Sequence, residues 1–181
     1  GHKRSVSDGD VSEEEHLAAE ARLVEGEDYE VVSDSLFHDI SDTITPQGVL
    51  AIVKQKCYTR DDILGKSMLV LEGLQDPGNL GTIIRTAEGA GVSGIMISKD
   101  TVDLYNPKVV RATMGSIFRV PFVYEENIAD GVKWLKEQGV RCYAAQLEGE
   151  DVYRQDYTAP SFFFIGNEGN GLSETLSACA D

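Results

Sequence analysis

Basic side chains are scarce in this 181-residue sequence: 16 Lys and Arg stand against 31 Asp and Glu, a formal net charge of −15. Proteins that hold nucleic acid indiscriminately neutralise phosphates with Lys and Arg, so the average field excludes that class; an RNA partner would have to meet a local basic patch. Residues 1–56 carry 13 acidic and 5 basic side chains, while residues 57–181 carry 18 and 11 over a much longer stretch. Cysteine is sparse too. Cys57, Cys142 and Cys179 are odd in number and far apart, which excludes a disulfide framework or zinc pattern and points to a reducing cytoplasm. His2, His16 and His38 share no ligand spacing with them, so no metal is expected. No apolar run approaches the roughly 20 residues that span a bilayer. The start, Gly1-His2-Lys3-Arg4-Ser5, lacks the apolar stretch of a secretory signal. The expectation is a cytoplasmic protein, without a membrane partner, of one domain or one domain plus an appendage.

What is present is a change of texture along the chain. Residues 1–30 are polar and acidic, with Leu17, Ala18, Ala21 and Leu23 able to form a short helix or to stay solvated. Val31-Val32 and Val49 to Val53 read as strands, Ser35 to Ile40 as a helical turn, and Gln55 to Lys66 as a polar linker. From Ser67 onward, short apolar runs alternate with helical spacing. Strands are predicted at Met68–Leu71, Gly94–Ser98, Val120–Val123, Val140–Ala145 and Phe162–Ile165. Helices are predicted from Asn79, as N-cap, to Ala90, from Asn106-Pro107, and from Asn127 to Gln138. This alternation predicts an α/β protein with a parallel sheet flanked by helices, in which ligands sit at the carboxyl ends of the strands.

Three segments could carry chemistry. Asp76-Pro77-Gly78-Asn79-Leu80-Gly81-Thr82 leaves a buried strand and opens a helix bearing Arg85; it reads as an anion-tolerant helix start or as a capped turn with a surface arginine. Asn106 to Ser116 gathers Lys108 and Arg111, with Arg119 just beyond, either as a phosphate-holding patch or as a solvated face. Gly166-Asn167-Glu168-Gly169-Asn170-Gly171 follows an aromatic strand with three glycines in six residues. It has neither the Gly-Lys-Ser/Thr of a phosphate loop nor the spacing of a dinucleotide fingerprint. Tyr105, Tyr143 and Tyr153 could stack on bases or pack in the core.

Taken together, Asp76 to Ala87, Asn106 to Ala112 and Gly166 to Ser173 resemble, in order and spacing, the first motif, the intermediate helix and the second motif of the SpoU (TrmH-like) RNA 2′-O-methyltransferases of the SPOUT superfamily. Residues 31–56, especially Ser41 to Val49, resemble the end of the ribosomal-protein-L30e-like domain found ahead of many such enzymes. The resemblance implies three parts: an acidic segment with a partial L30e-like RNA-binding domain over 1–56, a linker over 57–66, and a methyltransferase domain over 67–181. The family's third motif is expected after Asp181, so the trefoil-knotted fold is expected to be incomplete here and cofactor binding weakened.

The resemblance further implies a homodimer with its active site at the subunit interface, S-adenosylmethionine as donor, and rRNA, with tRNA as second choice, as acceptor. Arg85 would stabilise the alkoxide developing on a ribose 2′-oxygen, Asn79 would orient Arg85 or the ribose, and Glu168 would position the substrate or an arginine across the interface. Ala145, Gln146, Leu147, Ile165, Gly166, Asn167 and Gly169 would contact the cofactor, and Lys108, Arg111 and Arg119 the RNA phosphates. The competing expectation is a SpoU-like module that binds RNA without catalysis.

Overall fold

The computed structural model describes residues 29–41, 43–147 and 149–181, and the chain divides into two compact units, residues 1–54 and 55–181. The helix expected near Leu17–Leu23 lies outside the described residues. In the first unit, Ser33 caps a seven-residue helix, α1 (Asp34–Ile40), by accepting from the Leu36 N–H. Val31-Val32 and Val49 to Val53 do not form the expected strands. β propensity alone does not order a strand without a ladder partner and a face to bury, and none of the described residues of this unit is buried.

In the second unit the apolar runs do become strands: β1 (Ser67–Leu71), β2 (Gly94–Ser98), β3 (Phe122–Glu125), β4 (Arg141–Ala144) and β5 (Ser161–Ile165). They form one parallel sheet in the order β3-β2-β1-β5-β4. The helices are α2 (Pro77–Gly89), α3 (Pro107–Ala112), α4 (Ile128–Glu137) and α5 (Glu174–Ser177). Strand side chains alternate between faces, and each face builds its own core. Met68, Val70, Met96, Phe162 and Phe164 pack with Val132 and Leu135 of α4 and Leu176 of α5. Leu71, Ile95, Ile97 and Phe122 pack with Leu80, Ile84 and Ala87 of α2 and Val109 of α3. A fully buried Leu or Ile contributes about 1.5–3 kcal/mol relative to exposure, so these two layers anchor the sheet.

The stretch expected to be a linker is part of this core. Residues Asp61–Ile63 form a single 3₁₀ turn whose Ile63 is fully buried. It presses so closely on β2 that a Cβ at Gly94 would lie 2.4 Å from the Ile63 Cβ. Arg60 adds a two-pronged ion pair to Glu125 (2.6 and 2.7 Å) and lies over the Trp134 ring. The adjacent Ile63 and Leu64 in a mostly polar run carry no periodicity, which is why the sequence alone does not reveal the contact.

β1 and β5 are neighbours in the sheet, yet the chain leaves them toward opposite layers: α2 after β1 covers one face, and α5 after β5 the other. Such a switch point opens a crevice at the carboxyl ends of the two strands.

Candidate functional site: two loops at the switch point

The loops after β1 and β5 meet in this crevice. The first, residues 72–76, turns at Gly73, whose φ of +64° suits glycine. The Gly73 N–H donates to the buried Ser98 hydroxyl (2.9 Å), and its carbonyl accepts from the Asn167 amide (2.7 Å) and the Gln75 amide (3.2 Å). Asp76, not the expected Asn79, caps α2: its Oδ1 accepts the Asn79 N–H at 2.7 Å, and Pro77 supplies the pre-set φ of the first turn. The asparagine thereby has its side chain available for another contact.

The second loop is closed on itself. The Asn167 and Gly171 backbones exchange hydrogen bonds of 3.0 and 2.9 Å, and the Asn167 carboxamide oxygen accepts from the Gly169 and Asn170 N–H groups, both at 2.9 Å. Gly166 is obligatory for steric reasons: a Cβ there would lie 2.3 Å from the Gly171 carbonyl carbon and oxygen and 2.4 Å from the Leu172 nitrogen, all backbone atoms. Glu168 projects from the tip and accepts from the Gln75 N–H (3.2 Å), the Asp76 N–H (3.2 Å) and the Asn79 side-chain amide (3.3 Å). Its own backbone N–H, followed by those of Gln75 and Asp76 and by the Asn79 amide, outweighs desolvation and holds the carboxyl below its usual range. A carboxylate beside a helix start is also favoured by the helix dipole.

Asn79 and Glu168 are thus brought together, while Arg85 is not part of that cluster. It stands six residues further along α2, roughly 9 Å along the axis at 1.5 Å per residue, and its side chain is exposed. It shares a stripe with Gly81 and Glu88, at helical spacing. That stripe runs along α3: a Cβ at Gly81 would be 2.3 Å from the Ala112 Cβ, and Glu88 accepts from Ser116 (2.5 Å) and from Arg119. Arg119, expected on RNA phosphates, is engaged by Glu88, whose carboxyl is lowered to about 2 by the Arg119 and Ser116 hydrogen bonds. Lys108 and Arg111 are exposed on one face of α3, three residues apart.

Residues 66–181 match the SpoU rRNA Methylase family. This chain belongs to that family. Among its relatives, the 23S rRNA (guanosine(2553)-2′-O)-methyltransferase RlmP of Bacillus subtilis is 34% identical over 149 residues, 81% of this chain and 58% of that protein. The AdoMet-bound rRNA methyltransferase of Sinorhizobium meliloti superimposes with a TM-score of 0.78 at 36% identity, over 93% of this chain and 66% of its own. The SpoU methyltransferase AviRb of Streptomyces viridochromogenes, in complex with AdoMet, superimposes with a TM-score of 0.80 at 25% identity, over 98% of this chain and 68% of its own.

In this SpoU chain, the residues expected at a cofactor follow β4 and close β5. Ala145 extends the ladder by donating to the Phe164 carbonyl (3.1 Å), Gln146 reaches the Ser177 hydroxyl, Leu147 is fully exposed, and Ile165 is half-buried. Two clefts are lined by other residues. One of about 470 Å³ lies by the start of β4, lined by Lys136, Arg141, Tyr143 and Asp181. The other, of about 460 Å³, touches the crevice through Glu72 and otherwise runs along the ends of β2 and β3. The tyrosines divide as well: Tyr105 packs on Phe122 and Tyr143 stacks on Phe163, while Tyr153 is exposed. Among the described residues no helix is long and apolar enough to cross a membrane, and no group of three potential metal ligands occurs. Sequence reasoning passed over Glu72, Gln75 and Ser173 as site residues. The only available signals were Glu72 as the first charge after a buried strand and Ser173 as a cap residue before α5.

Proposed function

We propose that this chain transfers a methyl group from S-adenosylmethionine to a ribose 2′-hydroxyl of RNA, with rRNA as the acceptor. The observation that carries the reading is the Glu168 bridge to Gln75, Asp76 and Asn79, because it unites the two family motifs at a switch-point crevice. The segment after β4 suits the adenosine of the donor: Ala145, Gln146 and Leu147 are exposed, and Ala145 is tied to β5 through the Phe164 carbonyl, one residue before the half-buried Ile165. Gly166, Asn167 and Gly169 complete the cofactor contacts through the closed turn, since the Asn167 side chain is spent on holding it.

When bound, S-adenosylmethionine supplies an electrophilic methyl on a sulfonium. This chain's residues must then orient the ribose and stabilise charge on its 2′-oxygen. Arg85 stays protonated, so its role is to stabilise the developing alkoxide, and a substrate phosphate takes the hydroxyl proton. Asn79, held by Glu168, orients the ribose. Lys108 and Arg111 contact phosphates, and Arg119 joins them on leaving Glu88. Because Arg85 stands apart from Asn79 and Glu168 in one chain, the proposed active unit is a homodimer with the site at the interface, acting in the cytoplasm. The trefoil knot and the L30e-like leading domain belong to the same proposal. The charge of −15 favours a second reading, RNA binding without catalysis. Arg85→Ala should abolish methyl transfer to RNA while S-adenosylmethionine binding, read by calorimetry, stays nearly intact. Full activity in that variant refutes the role of Arg85, and a full-length protein that gives no binding heat refutes the enzyme reading in favour of the binder.

A further inference from the structure

We infer that Glu72 is a positioning residue: it pins the glycine-rich turn at both ends and so delivers Glu168 to the start of α2. The consequence for catalysis rests on the methyltransferase reading above; the geometric claim stands without it. Glu72 is the first residue after β1. Its N–H donates to the carbonyl of Ile165 (3.0 Å), the last residue before the turn. Its carboxylate accepts both the N–H (2.8 Å) and the hydroxyl (2.7 Å) of Ser173, the first residue after the turn and the cap of α5. One residue therefore holds the chain on either side of residues 166–172.

The turn between those pins has little freedom of its own. Gly166 is wedged against the Gly171 backbone, and Asn167 and Gly171 are bridged. It moves as a unit, and where its tip carries Glu168 follows from where its ends are held. Each loop thus sends a carboxylate to the other: Glu72 from the first to Ser173, and Glu168 from the second to Gln75, Asp76 and Asn79. The chemistry at position 72 is specific. An ionised carboxylate is acceptor-only with two oxygens, matching two donors on one residue, and charge-assisted bonds are the strong kind. Glutamine keeps one acceptor for the Ser173 N–H, and the rotatable hydroxyl turns to accept from its amide. Alanine keeps neither, although its backbone bond to Ile165 survives.

The test is amide hydrogen exchange on the full-length protein and its Glu72→Ala, Glu72→Gln and Ser173→Ala variants, with methyl-transfer kinetics and S-adenosylmethionine titration alongside. Glu72→Ala should speed exchange about tenfold at Ser173 and, beyond its own contact, at Gln75 and Asp76. Its kcat should fall about tenfold or more, and the dissociation constant of S-adenosylmethionine should rise with it, because Gly166, Asn167 and Gly169 sit on the turn that Glu72 holds. Glu72→Gln should stay within about threefold of wild type on every readout, and Ser173→Ala, which keeps the N–H, should fall between. The inference is overturned if Ser173 opens in Glu72→Ala while Gln75 and Asp76 do not, or if glutamine is as damaging as alanine. If Glu72→Ala fails to fold, Ser173→Ala and Glu72→Gln decide on the same amides. A wild type without methyl transfer overturns the activity reading alone, and the exchange pattern still decides the positioning role.

Discussion

Replacing Gly81 by alanine sets two physical effects against each other, and the structure says which prevails. Gly81 lies inside α2, where alanine favours the helix by about 1 kcal/mol over glycine. Its Cβ would, however, sit 2.3 Å from the Ala112 Cβ, 3.0 Å from the Ala112 carbonyl carbon and 3.1 Å from the Val109 carbonyl oxygen. Carbon pairs rest at about 3.5–4.0 Å, so α2 and α3 must part by more than an ångström, and no flexible side-chain tip is available to yield. Overpacking of this kind costs about 1–3 kcal/mol; against so short a contact the upper end applies. The net expectation is a loss of about 1–2 kcal/mol, or about 2–8 °C in Tm. Gly89→Ala is the control. It ends the same helix with nothing within 4 Å of its Cβ and should be neutral or mildly stabilising. Adding Ala112→Gly to Gly81→Ala removes the worst contact and should restore part of the loss. Thermal and urea unfolding measure all four proteins. A Gly81→Ala protein that melts at or above wild type, or a second change that gives no relief, refutes the close-crossing argument. Because Arg85 is one turn beyond Gly81, the same variant should also lose methyl-transfer activity.

Glu88 is ionised down to about pH 2 in the folded chain, held by Arg119 and Ser116. Its contribution is complete above the ordinary carboxylate range and fades as pH falls from about 4.5 through about 2, so the Tm gap between wild type and Glu88→Gln should narrow over that window. A gap that widens on acidification would contradict the assignment. Burial pushes the Cys142 thiol up to about 12, while Cys57 is exposed. A thiol reagent at pH 8 should therefore label Cys57 readily and Cys142 only after unfolding, as mass mapping will reveal. Arg60→Ala should destabilise by about 1–3 kcal/mol, because it strands the nearly buried Glu125. Arg60→Lys should rescue little, since the bond is two-pronged; full rescue in urea unfolding would count against that geometry.

Much of the sheet was legible because most strands between Ser67 and Ile165 are short apolar runs, and the two long helices, α2 and α4, carry cap and stop residues. Boundaries slipped where two caps competed: Asp76 and Asn79 are both good N-caps, and Pro77 settles the matter for Asp76 because proline fits the first helical turn. The strand proposed at Val120 begins instead at Phe122, after Val120 has turned into the core beside Ile117. Val31-Val32 and Val49 to Val53 misled because the β-branched composition of a segment says nothing of whether a partner strand exists.

By itself the amino-acid order determined the α/β alternation, the family, and the glycine-rich turn as the unusual loop, since all three are written in local spacing. Tertiary structure alone decided that β5 inserts between β1 and β4, which makes neighbours of loops about 90 residues apart. It alone turned Glu168 toward Gln75, Asp76 and Asn79, gave Glu72 to Ser173, seated Ile63 in the core and drew Arg119 to Glu88. Those contacts depend on strand order and on which face each crossover covers, and hydrophobic periodicity encodes burial without naming the partner.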